Sequence, residues 1–148
     1  MKTEASIDID RPIEEVFTYT TTKVEEWSNI VEEDEVIEDV NGGDVGTTFR
    51  TVTLERGRTM EFDGEVIEND PPHLHAVRMV GDQCTIHARY TFEDVGGRTR
   101  VSQASVVEAK GFWGFVFKAF GSFMKKAGCR ALEEELESLK RNLESGSA

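Results

Sequence analysis

The order of apolar and polar positions divides the chain into three textures. In the first, Ala5, Ile7 and Ile9 alternate with Ser6, Asp8 and Asp10, which predicts a strand with the apolar set on one face. Pro12 then presets φ for a first helical position, and Asp10, Glu14 and Glu15 suit the positive end of a helix dipole. Ile13, Val16 and Phe17 follow at i, i+3 and i+4, so this helix has one apolar face. It fades in the β-branched run Thr20-Thr21-Thr22. Val24 and Trp27, three residues apart, predict a second short helical piece.

From Glu35 to Ala109 the texture becomes short runs separated by turn residues. Asn41-Gly42-Gly43-Asp44, Arg56-Gly57-Arg58, Asn69-Asp70-Pro71-Pro72, Gly81-Asp82-Gln83 and Val95-Gly96-Gly97-Arg98 punctuate it. Between them, Met60, Phe62, Gly64 and Val66 alternate with acidic residues, and Ile86, Ala88, Tyr90 and Phe92 alternate with His87, Arg89 and Thr91. Such spacing predicts an antiparallel meander with one buried and one wet face. Trp27, Met60, Phe62 and Tyr90 are expected to face inward. In the final strand Gln103 and Ser105 share a face with Val101 and Val107, while Ser102, Ala104 and Val106 hold the other. The pattern leaves open which of these two faces is inner.

The third texture is helical. Trp113, Val116, Phe117, Phe120 and Met124 form a stripe at 3.6-residue spacing, and Leu132, Leu136, Leu139 and Leu143 continue it. A helix of roughly 30 residues would be ~45 Å long. Its apolar stripe can be buried only on the inner face of the sheet. An antiparallel sheet curls, especially around an interior glycine such as Gly64, and a straight helix touches a curled sheet along only part of its length. The leucine half is therefore expected to pack as solid core, and the aromatic half to border a cavity. Residues 1–144 read as one α+β domain, with 145–148 as a frayed tail.

Charge narrows the partners. The 148 residues include 29 acidic and 17 basic ones, a formal net charge of −12. Phosphate backbones and anionic bilayers are repelled by that field, so nucleic acid and stable membrane insertion are not expected. The acidity serves solubility or suits a saline habitat, and composition does not separate the two. Cys84 and Cys129 sit far apart in unlike segments, which suggests no disulfide framework. Neither a secretory signal nor an apolar run long enough for a bilayer is visible, so a cytoplasmic protein is expected. His73, His75 and His87 lack the accompanying spacing of a metal site and read as surface histidines. The alternative for His75 is a cavity acid or base. No phosphate loop or nucleophile elbow occurs, and no metal or cofactor is expected.

An ordered set of segments resembles a known family. Ile7-Asp8-Ile9-Asp10-Arg11-Pro12-Ile13-Glu14-Glu15-Val16-Phe17 comes first, then Trp27 and Val45-Gly46-Thr47. Asn69-Asp70-Pro71-Pro72, Gly97-Arg98-Thr99-Arg100-Val101-Ser102 and the terminal helix follow. Over nearly the whole chain this resembles the polyketide cyclase/dehydrase and lipid transport group of the START-like superfamily. The resemblance implies a helix-grip fold. In it a curved antiparallel sheet of about six or seven strands wraps a long C-terminal helix, with two short helices after the first strand. It also implies a hydrophobic cavity between sheet and helix, and it carries over no catalytic residue.

The expected function is to bind a small hydrophobic or amphipathic molecule such as a lipid, polyketide or aromatic metabolite. Trp27, Met60, Phe62, Tyr90, Gln103, Trp113, Phe117, Phe120 and Met124 are its expected lining. Two alternatives stand beside it. One is a cyclase or dehydratase acting on a polyketide-like substrate. The other is an interaction domain using the aromatic helix face, and self-association into a homodimer also stays open.

Overall fold

A computed structural model describes residues 1–145, except the side chains of 113, 116–118 and 120–124. Strand β1 (Lys2–Ile9) leads into helices α1 (Ile13–Thr22) and α2 (Val24–Trp27). Six strands follow: β2 (Val31–Glu38), β3 (Thr48–Glu55), β4 (Arg58–Asp70), β5 (Leu74–Val80), β6 (Cys84–Val95) and β7 (Arg98–Ala109). Helix α3 (Phe112–Ser145) closes the chain and includes Ser145, which the sequence pattern places in the tail.

The seven strands form one antiparallel sheet in the order β1-β7-β6-β5-β4-β3-β2. The meander from β2 to β7 is built by the turns that the glycine and proline clusters mark. At one of them Asn41, Gly42 and Gly43 all have positive φ, which asparagine and glycine adopt at least cost. The first strand returns to pair with the last, from Lys2 opposite Val106 to Ile9 opposite Thr99. Strand β2 begins at Val31, four residues before the predicted strand region. Its acid-rich sequence conceals it, because it is an edge strand whose side chains are mostly exposed.

Alternation assigns the faces. Ile9, Phe62, Val66, Ala88, Phe92, Thr99, Val101 and Gln103 are buried, while Asp8, Asp63, Glu65, Arg89 and Arg100 hold alternate positions on the same strands. The odd-numbered face of β7 is thus the inner one. The outer face holds cross-strand ion pairs: Arg78–Glu65 at 3.1 Å, Arg89–Glu68 at 3.1 Å, Arg100–Asp8 at 2.9 Å, and Arg50–Glu61. At Gly64 the ring of Phe49 lies so close that a Cβ would fall 2.3 Å from it. That glycine lets β3 fold its aromatic onto β4.

Helix α3 rests chiefly on β1 and then on β7. Its approach is tightest at Gly128, where a Cβ would lie 3.2 Å from Thr3 Cγ2. The leucine half packs as expected: Leu132, Leu136, Leu139 and Leu143 are buried. Leu136, Leu139 and Leu143 join Ile9, Ile13, Val16, Phe17, Trp27, Phe92 and Val101 in one core. Phe17 and Phe92 meet edge to face with centroids 5.1 Å apart.

Candidate functional site

Beside this core the inner face turns polar. Asn69 of β4 pairs with His75 of β5, His75 with Tyr90 of β6, Tyr90 with Gln103 of β7, and Gln103 with Ala5 of β1. Residues directly opposite on neighbouring strands have Cβ atoms ~5 Å apart. The four polar side chains therefore form one row across the sheet. The register is set by the alternation that makes the strands amphipathic, so the row is a consequence of sequence position alone.

Three members of the row, His75, Tyr90 and Gln103, have unusual surroundings. His75 Nδ1 lies 3.1 Å from Asn69 Oδ1, which places the ring proton on Nδ1 and leaves Nε2 an acceptor. Burial lowers its pKa from 6.5 to about 4, so the imidazole is neutral at pH 7. The ring meets Phe17 edge-on with centroids 6.1 Å apart, which joins the row to the closed core. The Tyr90 hydroxyl is surrounded by protein, and its pKa is pushed up by burial and then by the carboxylates of Glu135 and Asp34. The Tyr90 side chain nonetheless keeps accessible surface. Gln103 is 8% exposed, and its Oε1 has no hydrogen-bond partner among the described residues. Buried side-chain amides are ordinarily paired, and leaving one unpaired costs roughly 1–3 kcal/mol.

Two carboxyl groups outside the row act on the Tyr90 hydroxyl. Asp34 Oδ1 accepts a hydrogen bond of 2.6 Å from the buried Thr51 hydroxyl. Glu135, on the third helix, accepts bonds of 2.5 Å from Ser28 Oγ and from the Asn29 amide. Burial raises the pKa of both, opposed by these hydrogen bonds, and the neighbouring charges Glu25 and Glu55 raise them further.

The structure divides the expected lining. Tyr90 and Gln103 stand side by side on the inner face. Phe62 is buried on the same face and packs over Gly81, while Met60 is half-buried opposite Thr53. Trp27 lies in the closed core. Its indole N–H donates to Thr20 O at 3.2 Å, and its carbonyl accepts from Ser138 Oγ at 2.5 Å. Trp113, Phe117, Phe120 and Met124 fall outside the described side chains.

His75 corrects the reading of three surface histidines. His73 is exposed in the turn before β5, so the two rings do not share a strand face, and His75 points inward. Asp34, Thr51 and Glu135 were not singled out by the sequence, since they stand among 29 acidic residues and many threonines. The strand register alone could have found Asp34, through its pairing with Thr51. Among the described residues no group of three or more His, Cys, Asp or Glu is placed to hold a metal ion. No described helix is long and apolar enough to cross a membrane.

A curved sheet gripping a terminal helix is the architecture of START-like ligand-binding domains. Residues 1–144 match the sequence model of the family described as polyketide cyclase / dehydrase and lipid transport, and the chain belongs to that family. The fold is similar to a Thermus thermophilus protein at 20% identity and TM-score 0.84, covering 100% of both chains. It is also similar to a START superfamily protein from Mycobacterium smegmatis at 15% identity and TM-score 0.83, covering 99% of each. The di-domain ARO/CYC BexL matches at 16% identity and TM-score 0.70, over 95% of this chain and 49% of that one. Comparison with curated proteins returns no match.

Proposed function

We propose that this domain binds one small hydrophobic or amphipathic molecule between the inner face of the sheet and α3. Its body would lie against apolar wall, and its polar end would meet Tyr90 and Gln103. The observation that carries this reading is the Gln103 amide, buried on the inner face with its oxygen unpartnered among the described residues. A folded protein retains such a group where a guest completes its hydrogen bonds. Removal of apolar area from water, at roughly 25 cal/mol per Å², would supply most of the affinity. The aromatic half of α3, Trp113, Phe117, Phe120 and Met124, is proposed as the opposite wall.

Native mass spectrometry of freshly purified protein, before and after denaturation, tests this directly. A co-purifying small molecule, or uptake of added Nile red with a rise in its fluorescence, is the expected result. A protein that carries nothing and leaves Nile red unchanged overturns the proposal.

A second reading is a cyclase or dehydratase, and His75 favours it. A neutral imidazole with Nδ1 engaged by Asn69 presents Nε2 as a base, on the strand neighbouring Tyr90 and directly opposite it. On this reading His75 removes a proton from the bound substrate and Tyr90 supports the oxygen that gains charge. H75Q separates the two readings. It leaves affinity near that of the wild type if the domain only carries its ligand, and it abolishes turnover if the domain is an enzyme.

A further inference from the structure

Charge is unevenly placed along this acidic chain. Residues 109–132 hold five basic residues, Lys110, Lys118, Lys125, Lys126 and Arg130, and no acidic one, although the whole sequence has 29 acids. Five of the nine phenylalanines fall in the same stretch. We propose that the outward face of this half of α3 is a docking surface that rests on an anionic lipid bilayer. The proposal is independent of the ligand-binding reading above.

Helical spacing gathers the residues that would make contact. Phe112, Phe115, Ala119, Lys126 and Arg130 follow one another at +3, +4, +7 and +4 along the continuous helix Phe112–Ser145, which puts them on one face. All five are exposed, whereas Leu132 and Leu136 turn into the core. Phe112 is 72% and Phe115 71% exposed, more than any other large hydrophobic residue among those described. The face runs from aromatic to basic, and acids enter it only at Glu133 and Glu137. Lys125, Lys126 and Arg130 have no ion pair among the described residues, unlike the arginines on the outer face of the sheet. Beside them an open hollow of about 440 Å³ is lined by Lys125, Lys126, Cys129, Arg130 and Glu133.

Exposed rings next to uncompensated cations suit a membrane interface. The rings can enter the boundary between head groups and acyl chains while the cations meet lipid phosphates. An acidic polypeptide would meet the charge but leave the phenylalanines in water, and a second copy would bring a basic face against a basic face. No described helix is long and apolar enough to cross a bilayer, so the contact is peripheral. The net charge of −12 lies on the rest of the molecule, where it repels anionic lipid and turns this face toward it.

Co-sedimentation of the full chain with vesicles tests the proposal, comparing phosphatidylcholine alone with phosphatidylcholine and phosphatidylglycerol mixed at about 2:1. Binding is expected to the mixed vesicles only, and it should fall as salt rises toward about 1 M, where the Debye length is about 3 Å. K126Q and R130Q should each lower the partition coefficient about fivefold. F115S should lower it by about tenfold. R98Q removes an exposed arginine from the turn between β6 and β7, at the opposite end of the sheet, and should change it less than about twofold. Should F115S fail to fold, as its circular dichroism would reveal, K126Q and R130Q measured against R98Q decide.

No binding to either vesicle, or equal binding to both, overturns the proposal. So does an R98Q effect as large as that of R130Q, or a folded F115S that binds as well as the wild type. Soluble polyglutamate that binds as tightly as the mixed vesicles would assign the face to an acidic protein, and a dimer that F115S dissociates would assign it to a second copy; either overturns the bilayer.

Discussion

The inner face of this sheet contains two neighbouring regions with opposite chemistry. Ile9, Phe92, Val101 and Leu139 belong to an apolar core closed to solvent, in which the Thr99 and Ser138 hydroxyls each donate to a backbone carbonyl. One row further along the same strands stand Gln103, Tyr90, His75 and Asn69, where the Gln103 Oε1 has no partner among the described residues. Val101 and Gln103 are two residues apart on β7, as are Phe92 and Tyr90 on β6. The same backbone thus builds a part that stabilises and a part that leaves free energy unrealised. Functional sites commonly trade stability for function.

The largest effect should come from the closed region. Leu139 is 0% exposed and lies at the centre of the seam between α3 and the sheet. L139A removes buried methyl groups and leaves a cavity that a close-packed core cannot fully collapse. A loss of about 2–5 kcal/mol is expected in urea unfolding monitored by circular dichroism. A loss below ~1 kcal/mol would mean that this seam is not the closed core described above.

How far the two regions were legible in the sequence differs for a physical reason. The closed region follows from periodicity: Leu132, Leu136, Leu139 and Leu143 keep helical spacing, and Ile7, Ile9 and Phe92 keep strand alternation. Burial demands that pattern, so the pattern reveals burial. The polar row breaks it. Gln103 on an inner face looks like any strand glutamine until the register with Tyr90 is known, and that register is a long-range property. His75 was masked in the same way, because His73 two residues earlier suggested a paired surface motif, whereas the turn ends before Leu74. Strand β2 was misjudged in extent because acidic edge residues have little strand propensity and are held by pairing with β3.

Acid titration should sharpen the contrast next. The folded pKa of His75 is lowered from 6.5 to about 4 by burial. The unfolded chain therefore binds a proton that the folded one refuses between about pH 6.5 and 4, and His75 lowers stability progressively as pH falls through that window. The full effect is at most about 3 kcal/mol, reached near pH 4. Asp34 and Glu135 have raised pKa values and act in the opposite sense, favouring the folded state as pH falls. Comparing the wild type with H75Q isolates the histidine. The variant should gain on the wild type as pH drops from 6.5 to 4, and the two should run parallel above pH 7. An NMR titration of the His75 ring with its midpoint near 6.5 would remove the burial argument.

A smaller change of opposite sign is expected at the centre of the row. Q103L replaces a buried amide, whose oxygen has no partner among the described residues, by an apolar group of similar size. Removing an unsatisfied polar group should stabilise the ligand-free protein by about 1 kcal/mol. The same substitution should weaken ligand binding, since the group that orients the polar end is gone. A destabilised Q103L would show that the amide already has a partner in solution. A stabilised Q103L that binds as tightly as the wild type would confine the polar contact to Tyr90.

The smallest effect belongs to the outer face, which serves as the reference for both inner regions. Arg78 and Glu65 face each other across β5 and β4 at 3.1 Å, each with over 40% of its side chain exposed. In high dielectric such a pair gains little beyond the entropy lost in holding two long side chains together. The double-mutant cycle of R78A and E65A should give a coupling of about 0.2–1 kcal/mol, declining as salt rises. This face holds cross-strand ion pairs, whereas Asp34 and Glu135 have no ion pair among the described residues. The outer pairs show that this sequence places a basic residue beside an acidic one on neighbouring strands. A coupling well above about 1 kcal/mol that persists at high salt would mean that solvent does not screen these pairs, and exposure would no longer distinguish the two faces.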